Sequence, residues 1–275
     1  MPLVLVPTPL GNLGDVTRRG LEALRGADLI VAEDTRVARK LLSALDVGAK
    51  DVWSYREQNA AAVTAGILER ARGANVVLVS DAGTPGISDP GSELVAAARA
   101  AGIEVEVLPG PSAVVGVAVL SGFPLRRFVF EGFPPRSQSG RREAFAHALR
   151  AHATTIWYES PQRIRATLAD LASIAADAEV FLVREYTKRF EQQLLGTPAA
   201  VAAALRDPVR GEIAFAIAPY ELQTQPSPFD LDAEIDALLE RGTSVAEIAR
   251  DLVRRGAGER RALYARASKR KSARR

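Results

Sequence analysis

Short runs of consecutive apolar residues alternate, through the first half of the chain, with stretches in which apolar positions recur every three or four residues. Leu3–Val6, Asp28–Ala32, Val52–Tyr55 and Val76–Val79 are the short runs, and together with Ile103–Leu108, where Glu104 and Glu106 alternate with apolar residues, they predict strands. Thr17–Arg25, Thr35–Leu45, Ala60–Arg72, Ser92–Ala101 and Ser112–Leu120 carry the helical spacing. Continuous apolar strands separated by helices predict a parallel sheet covered on both faces.

The second half has a different texture. Phe128–Phe130, Thr155–Tyr158, Val180–Glu185, Glu191–Gly196 and Ile213–Pro219 read as strands, with helices near Gly140–Ala151, Arg163–Ile174 and Pro198–Arg206. Only a short turn separates the third and fourth of these strands, which predicts antiparallel pairing and hence a mixed sheet. The Ser121–Pro124 string SGFP interrupts the pattern and marks a boundary, and Gln223–Pro228 reads as a linker. Three short helical patterns follow, Asp230–Glu240, Ser244–Arg254 and Glu259–Ala267, compatible with a helix-turn-helix-like appendage. The expected organisation is an N-terminal α/β domain over residues 1–121, a second α/β domain over 122–222, and a helical extension over 229–275.

At about 150 residues per domain, 275 residues suit two domains. A composition of 47% hydrophobic and 25% charged residues excludes a collagen, a coiled coil or a wholly disordered chain. There is no cysteine, which excludes disulfides, thiolate metal sites and thiol nucleophiles. The two histidines, His147 and His152, leave little for a histidine metal site and fall in or beside a surface helix pattern. Trp53 and Trp157 read as core residues. MPLVLVP has no basic leader, and the longest apolar stretch, Ala113–Leu120, is too short to span a bilayer. The expectation is a soluble cytoplasmic protein without membrane partners.

Charge is segregated. Between Arg254 and Arg275 stand ten basic residues and one acid, Glu259, so this segment carries +9. The whole chain is only +3, so the remainder is −6. A basic terminus on an acidic body points to a polyanion, most commonly nucleic acid.

Four loops could carry chemistry. SDAGTPGISDPG (Ser80–Gly91) leaves the end of a buried strand, where open α/β sheets bind ligands. Its glycines allow close backbone approach and its aspartates can accept hydrogen bonds, although Asp89 could simply start the next helix. PTPLGNLGD (Pro7–Asp15) follows the first strand in the same way but lacks the dinucleotide fingerprint, and no Walker A string occurs. AEDTR (Ala32–Arg36) places two acids and an arginine at another strand end, with Asp34 suited to cap a helix. PGPSA (Pro109–Ala113) approximates a nucleophile elbow but lacks its second glycine, and no histidine follows His152, so a serine hydrolase is disfavoured. Ser112 fits better as a donor at a helix N-terminus. YESPQR (Tyr158–Arg163) and REYTKRFE (Arg184–Glu191) concentrate charge after later strands.

Taken in order, PTPLGNLGD, AEDTR, SDAGTPGISDPG, PGPSA, FEGFPP, YESPQR, REYTK and GEI resemble the small-subunit ribosomal RNA methyltransferases of the tetrapyrrole-methylase-like superfamily. The likeness runs from residue 3 to about 219, and the C-terminal helices resemble the extension of those proteins. The resemblance implies two α/β domains holding S-adenosylmethionine in a cleft between them, a homodimer, no metal, and methylation of a cytidine ribose 2′-oxygen in the decoding region of 16S rRNA. It also implies cofactor contacts at Pro9, Leu10, Asp81, Ala82, Gly83, Thr84, Ile87, Ser112 and Ala113, closed by Tyr158, Gly211 and Ala214.

Methyl transfer from a sulfonium needs no thiol or redox cofactor, in keeping with the composition. It does require a proton to leave a weakly acidic hydroxyl, so a base or a positive field is expected. Glu33, Asp34, Arg36, Glu185 and Lys188 are the candidates. The chain departs from the usual pattern after Tyr55, where it reads REQNA, and at Gln192, where a second glutamate is common. Two other functions share parts of this reading. A tetrapyrrole methyltransferase would keep the loops without needing a basic tail, and a non-catalytic ribosome-assembly protein would keep the tail without needing the loops.

Overall fold

In the computed structural model, which describes residues 2–220, 231–254 and 259–273, the first five strands are β1 (Leu3–Leu5), β2 (Leu29–Ala32), β3 (Asp51–Ser54), β4 (Val76–Val79) and β5 (Val105–Val107). They form a wholly parallel sheet in the order β3-β2-β4-β1-β5. Helices α1 (Arg18–Gly26), α2 (Thr35–Ala44), α3 (Ala60–Ala71) and α4 (Ser92–Ala100) connect them. Alternate strand residues serve two cores. Leu3, Leu5, Leu29, Val31, Val76 and Leu78 face one, with Ile67 and Leu94 from the helices, while Val6, Ile30, Val77 and Val79 face the other with Leu24 and Leu42. Burial on both faces explains why the central strands β1, β2 and β4 are apolar throughout, whereas β3 and β5 at the edges carry Asp51 and Glu106.

Local chemistry starts the helices where the sequence predicts. The side chains of Thr17 and Asp34 accept from the N–H groups of Gly20 (3.0 Å) and Arg36 (2.8 Å), capping α1 and α2. Asp89 does not open α4. That cap falls on Gly91, whose φ of +150° an L-residue rarely adopts, and Asp89 is left for another use.

The second sheet contains β6 (Phe128–Gly132), β7 (Thr154–Glu159), β8 (Val180–Arg184), β9 (Gln192–Gly196) and β10 (Ile213–Ile217) in the order β6-β7-β10-β8-β9. Only β6 and β7 are parallel, so the sheet is mixed. Helices α6 (Gln138–Leu149), α7 (Ile164–Ala172) and α8 (Pro198–Ala204) accompany it, and Phe145 of α6 meets Trp157 edge-on at 4.9 Å. The opposite face is covered by α5 (Ala113–Ser121), whose Val114, Val117 and Ala118 pack on Ile156, Phe181, Val183, Ala214 and Ala216. Thus α5, although it precedes the SGFP punctuation, belongs by packing to the second sheet. Trp157 is buried, Trp53 packs half-buried against the first core, and both histidines are exposed.

By its contacts the chain divides into two compact units, Met1–Glu221, which holds both sheets, and Leu222–Arg275. The second contains α9 (Leu231–Glu240), α10 (Val245–Arg254) and α11 (Arg260–Ala273) around Ile235, Ile248, Leu252, Leu263 and Ala267. Ser244 and Glu247 form a reciprocal cap at the start of α10. Helix α11 runs six residues beyond the predicted end at Ala267. Arg270 in that extra stretch pairs with Asp232 and Asp236 of α9, giving the polar continuation a reason to stay helical. The predicted linker Gln223–Pro228 lies outside the described residues. Among those residues no helix is long and apolar enough to cross a membrane.

Candidate functional site

In the first sheet, the connection leaving β1 passes over β4 towards β2, and the connection leaving β4 passes over β1 to β5. The two loops diverge at neighbouring strand ends, the position at which open α/β sheets leave a crevice. Here they are stitched together. The Thr8 N–H donates to the Gly83 carbonyl (2.9 Å), the Gly83 N–H donates to the Thr8 carbonyl (3.0 Å), and the buried Thr8 hydroxyl donates to the Ser80 carbonyl (3.2 Å). Gly83 has φ +82°, and a Cβ there would lie 3.1 Å from Leu10 Cδ2.

Above this stitch lies a cavity of about 410 Å³, lined from both sheets. The first supplies Leu10, Asp81, Ala82, Gly83, Thr84, Ile87, Ser88 and Asp89. Ser112 and Ala113 come from the start of α5, and the second sheet and its loops supply Phe133, Tyr158–Pro161, Val183, Tyr186 and Gly211–Ala214. Eleven of the twelve residues expected to contact a cofactor therefore line one space. Pro9 does not, being buried beside it. Ser112 caps α5, but its side chain makes no capping hydrogen bond. The Thr84 hydroxyl donates to the Pro111 carbonyl at 2.9 Å, joining the two loops.

The cavity is acidic and aromatic. Burial, reinforced by the charges of Glu33 and Asp81, pushes Asp89 up to about 6. Burial raises Asp81 and Glu33 as well, each also feeling the other acids of this cluster. Tyr158 is pushed up to about 12 by burial and then by Asp89, so its phenol stays protonated; its ring meets Phe130 and Phe133 edge-on at 5.0 and 5.6 Å. Asp89 and Ser88 also line an adjoining hollow of about 350 Å³ with Glu33, Tyr55 and Arg56. Among the described residues no group of three or more His, Cys, Asp or Glu is placed to hold a metal ion.

Most of the expected proton-handling residues lie outside the cavity and are engaged. Asp34 accepts from Arg36 through both carboxylate oxygens (3.1 and 2.6 Å), and the Arg36 hydrogen bonds hold its carboxyl far below the usual range. Its backbone N–H donates to Asp81 (3.1 Å). Lys188 bridges Glu185 (3.0 Å) and Glu212 (2.9 Å), and these carboxylates outweigh its burial to hold its ammonium charged. Its stem lies where a Cβ on Gly11 would be, 2.2 Å away at Cγ, and the Asn12 N–H donates to Thr187 (3.2 Å). Asp34, Glu185 and Lys188 thus join loops, Arg36 is spent on Asp34, and Glu33 alone of the five has a carboxyl raised towards neutrality. Sequence reasoning missed Asp89, Phe133, Tyr186 and Glu212 as wall residues. The strings FEGFPP, REYTK and GEI hold three of them, but only the parallel pairing of β6 with β7 and the antiparallel pairing of β10 with β7 and β8 bring those strings together.

The class of protein that this fold defines is established by comparison. The profile for tetrapyrrole (corrin/porphyrin) methylases matches residues 2–200. The crystal structure of diphthine synthase shares the fold at a TM-score of 0.63 and 18% identity, over 79% of this chain and 90% of that one. Two relatives are each described as ribosomal RNA small subunit methyltransferase I. That of Synechocystis sp. is 39% identical over 95% of both chains, and that of Halalkalibacterium halodurans is 44% identical over 76% of this chain and 73% of its own. The chain belongs to the ribosomal RNA small subunit methyltransferase I group of the tetrapyrrole methylase family. Methyl transfer from S-adenosylmethionine is the activity of this family.

Proposed function

We propose that this protein binds S-adenosylmethionine in the 410 Å³ cavity and methylates the ribose 2′-oxygen of a cytidine in the decoding region of 16S rRNA, acting as a cytoplasmic homodimer. The observation that carries the reading is the meeting, in one space, of the stitched glycine loop, an acidic cluster and an aromatic wall. The volume falls in the range of about 300–1,000 Å³ usual for small-molecule sites. When bound, S-adenosylmethionine supplies an electrophilic methyl group on a sulfonium.

The residues present fit that ligand. Asp81 and Asp89 offer negative charge to the sulfonium or the amino group, or acceptors to ribose hydroxyls. Gly83 lets backbone approach, and Phe133 and Tyr158 offer ring faces and edges to a purine. Ser112 offers a hydroxyl free of capping duty. Positioning the acceptor oxygen is the larger part of the catalytic task in an in-line displacement. Asp81 on the cavity wall, Asp89, shared by the cavity and the adjoining hollow, and Glu33 on that hollow's wall are the carboxylates whose raised proton affinity suits them to accept the hydroxyl proton. The basic C-terminal segment favours RNA over a tetrapyrrole.

Calorimetry with S-adenosylmethionine, followed by incubation with unmethylated small ribosomal subunits and digestion of the rRNA to nucleosides, tests the proposal. The expected product is a 2′-O-methylated cytidine whose linkage resists alkali. A base-methylated product alone would overturn the ribose assignment, and methylation of a tetrapyrrole without RNA methylation would overturn the substrate class.

A further inference from the structure

A second cavity, of about 420 Å³, shares Gly211 with the first. Its wall includes Arg184, Arg206, Arg210 and Phe190. Arg184 is buried, yet no carboxylate among the described residues lies within ion-pair distance of its guanidinium. Three of its five N–H donors are taken by neutral oxygens, the carbonyls of Arg210 (3.0 Å) and Phe190 (3.4 Å) and the amide oxygen of Gln192 (3.3 Å). Glu185 on the same wall feels the Arg184 charge but makes no ion pair with it, and a buried cation without a paired anion is costly.

The two carboxylates on this wall are already occupied. Asp207 is held by Arg165 (2.9 Å), and Glu185 accepts from Lys188 (3.0 Å) and the Glu212 N–H (3.0 Å). Arg206 and Arg210 are exposed, and no side-chain partner engages them among the described residues. Phe190 is 64% exposed although the Arg189 guanidinium sits 5.5 Å from its ring centroid. Three arginines without ion-pair partners among the described residues, beside an exposed aromatic ring, are the chemistry of a nucleotide, phosphate on guanidinium and base on ring.

We infer that this cavity is an RNA subsite, with Arg184, Arg206 and Arg210 receiving a backbone phosphate next to the target nucleotide and Phe190 stacking a neighbouring base. The inference rests on the RNA-substrate reading above and adds to it where the strand leaves the methylation site. Gly211 and Glu212 make the connection. They close one side of the first cavity, and the Arg210 carbonyl that binds Arg184 immediately precedes them.

The test uses the full chain with unmethylated small ribosomal subunits, comparing wild type with Arg206→Ala/Arg210→Ala, Arg206→Lys/Arg210→Lys and Phe190→Ala. Unchanged S-adenosylmethionine affinity shows that each variant is folded. The double alanine variant is expected to bind subunits at least tenfold more weakly at about 150 mM salt. At about 0.7 per lost contact, its log–log salt slope should be flatter by about 1.4. It should also raise KM for subunits more than it lowers kcat. The lysine pair should retain the slope, and Phe190→Ala should weaken binding several-fold with the slope unchanged. Wild-type affinity and slope in the double alanine variant overturn the subsite alone. Failure of the wild-type protein to bind or methylate subunits overturns the substrate reading together with it.

Discussion

The ring of Tyr186 occupies the space that a side chain on Gly116 would need: a Cβ there would sit 2.5 Å from Cε1 and 2.8 Å from the phenolic oxygen. One residue lies in the middle of α5, the other in the loop after β8, and Tyr186 forms part of the cavity wall. Gly116→Ala should improve helix propensity by up to about 1 kcal/mol. The overlap should cost about 1–3 kcal/mol, cancelling that gain or leaving a net loss of up to about 2 kcal/mol, and displace the tyrosine. Thermal unfolding and calorimetry of Gly116→Ala, Tyr186→Leu and the double variant check this. The double variant is expected to be less destabilised than the sum of the two. A stabilised Gly116→Ala protein with intact ligand affinity would refute it.

At the stitch, Gly83→Val puts a β-branched residue at φ +82° with its Cβ against Leu10, straining the loop by about 1–3 kcal/mol. Asp81→Asn is milder, since its amide oxygen can still accept from the Asp34 N–H while the charge is lost. S-adenosylmethionine affinity is expected to fall at least tenfold in the first variant and several-fold in the second. Wild-type affinity in both would rule out this loop as the cofactor site.

Asp89 makes a pH prediction. In the unfolded chain an aspartate titrates near 3.9, whereas here burial pushes it up to about 6. Between these values the folded protein holds the proton more tightly, so stability from this group is greatest in acid and declines as pH rises through 6. Partial exposure screens the cost to about 1 kcal/mol. Asp89→Asn should be more stable than wild type by that amount at pH 8 and lose the advantage by pH 4. Binding of a cationic ligand has the opposite dependence, strengthening in wild type as the carboxylate ionises above 6 and staying flatter in Asp89→Asn. Calorimetry from pH 5 to 8 measures it, and parallel profiles would exclude Asp89 from the site.

The C-terminal unit calls for charge substitution rather than truncation. Leu263 and Ala267 of α11 are core residues, so deleting the helix would expose Ile235, Ile248 and Leu252. Arg266 and Arg270 are held by Asp232 and Asp236. Arg260, Arg261, Lys269 and Lys271 are exposed, as is Tyr264. Changing those four to glutamine should flatten the salt dependence of subunit binding by about 3 log units per log unit of salt, with S-adenosylmethionine affinity unchanged. An unaltered slope would assign the helix face to solvent.

Much of the fold was legible because most buried strands are short apolar runs with Gly, Pro or Asp close behind them, as Val76–Val79 has in SDAG. The cap at Asp34 and the start of α1 near Thr17 were legible for the same local reason. What escaped depended on packing between distant segments. Helix α5 is apolar almost all round, so its sequence does not show which sheet it covers. Asp89 has the spacing of a helix cap, and only the positive φ of Gly91 shows that the cap has moved. Tyr186 and Glu212 come to the wall through strand pairings no local pattern encodes.

The placement of α5 also has a consequence for synthesis on the ribosome. The parallel sheet is complete once β5 has emerged, but the strands that α5 covers are finished only with β10, roughly a hundred residues later. At about 5–20 residues per second that is a delay of about 5–20 s. Until then Val114, Val117 and Ala118 lack the Ala214 and Ala216 face that completes their cover, so this apolar helix stays partly bare while the rest of its sheet is still being made.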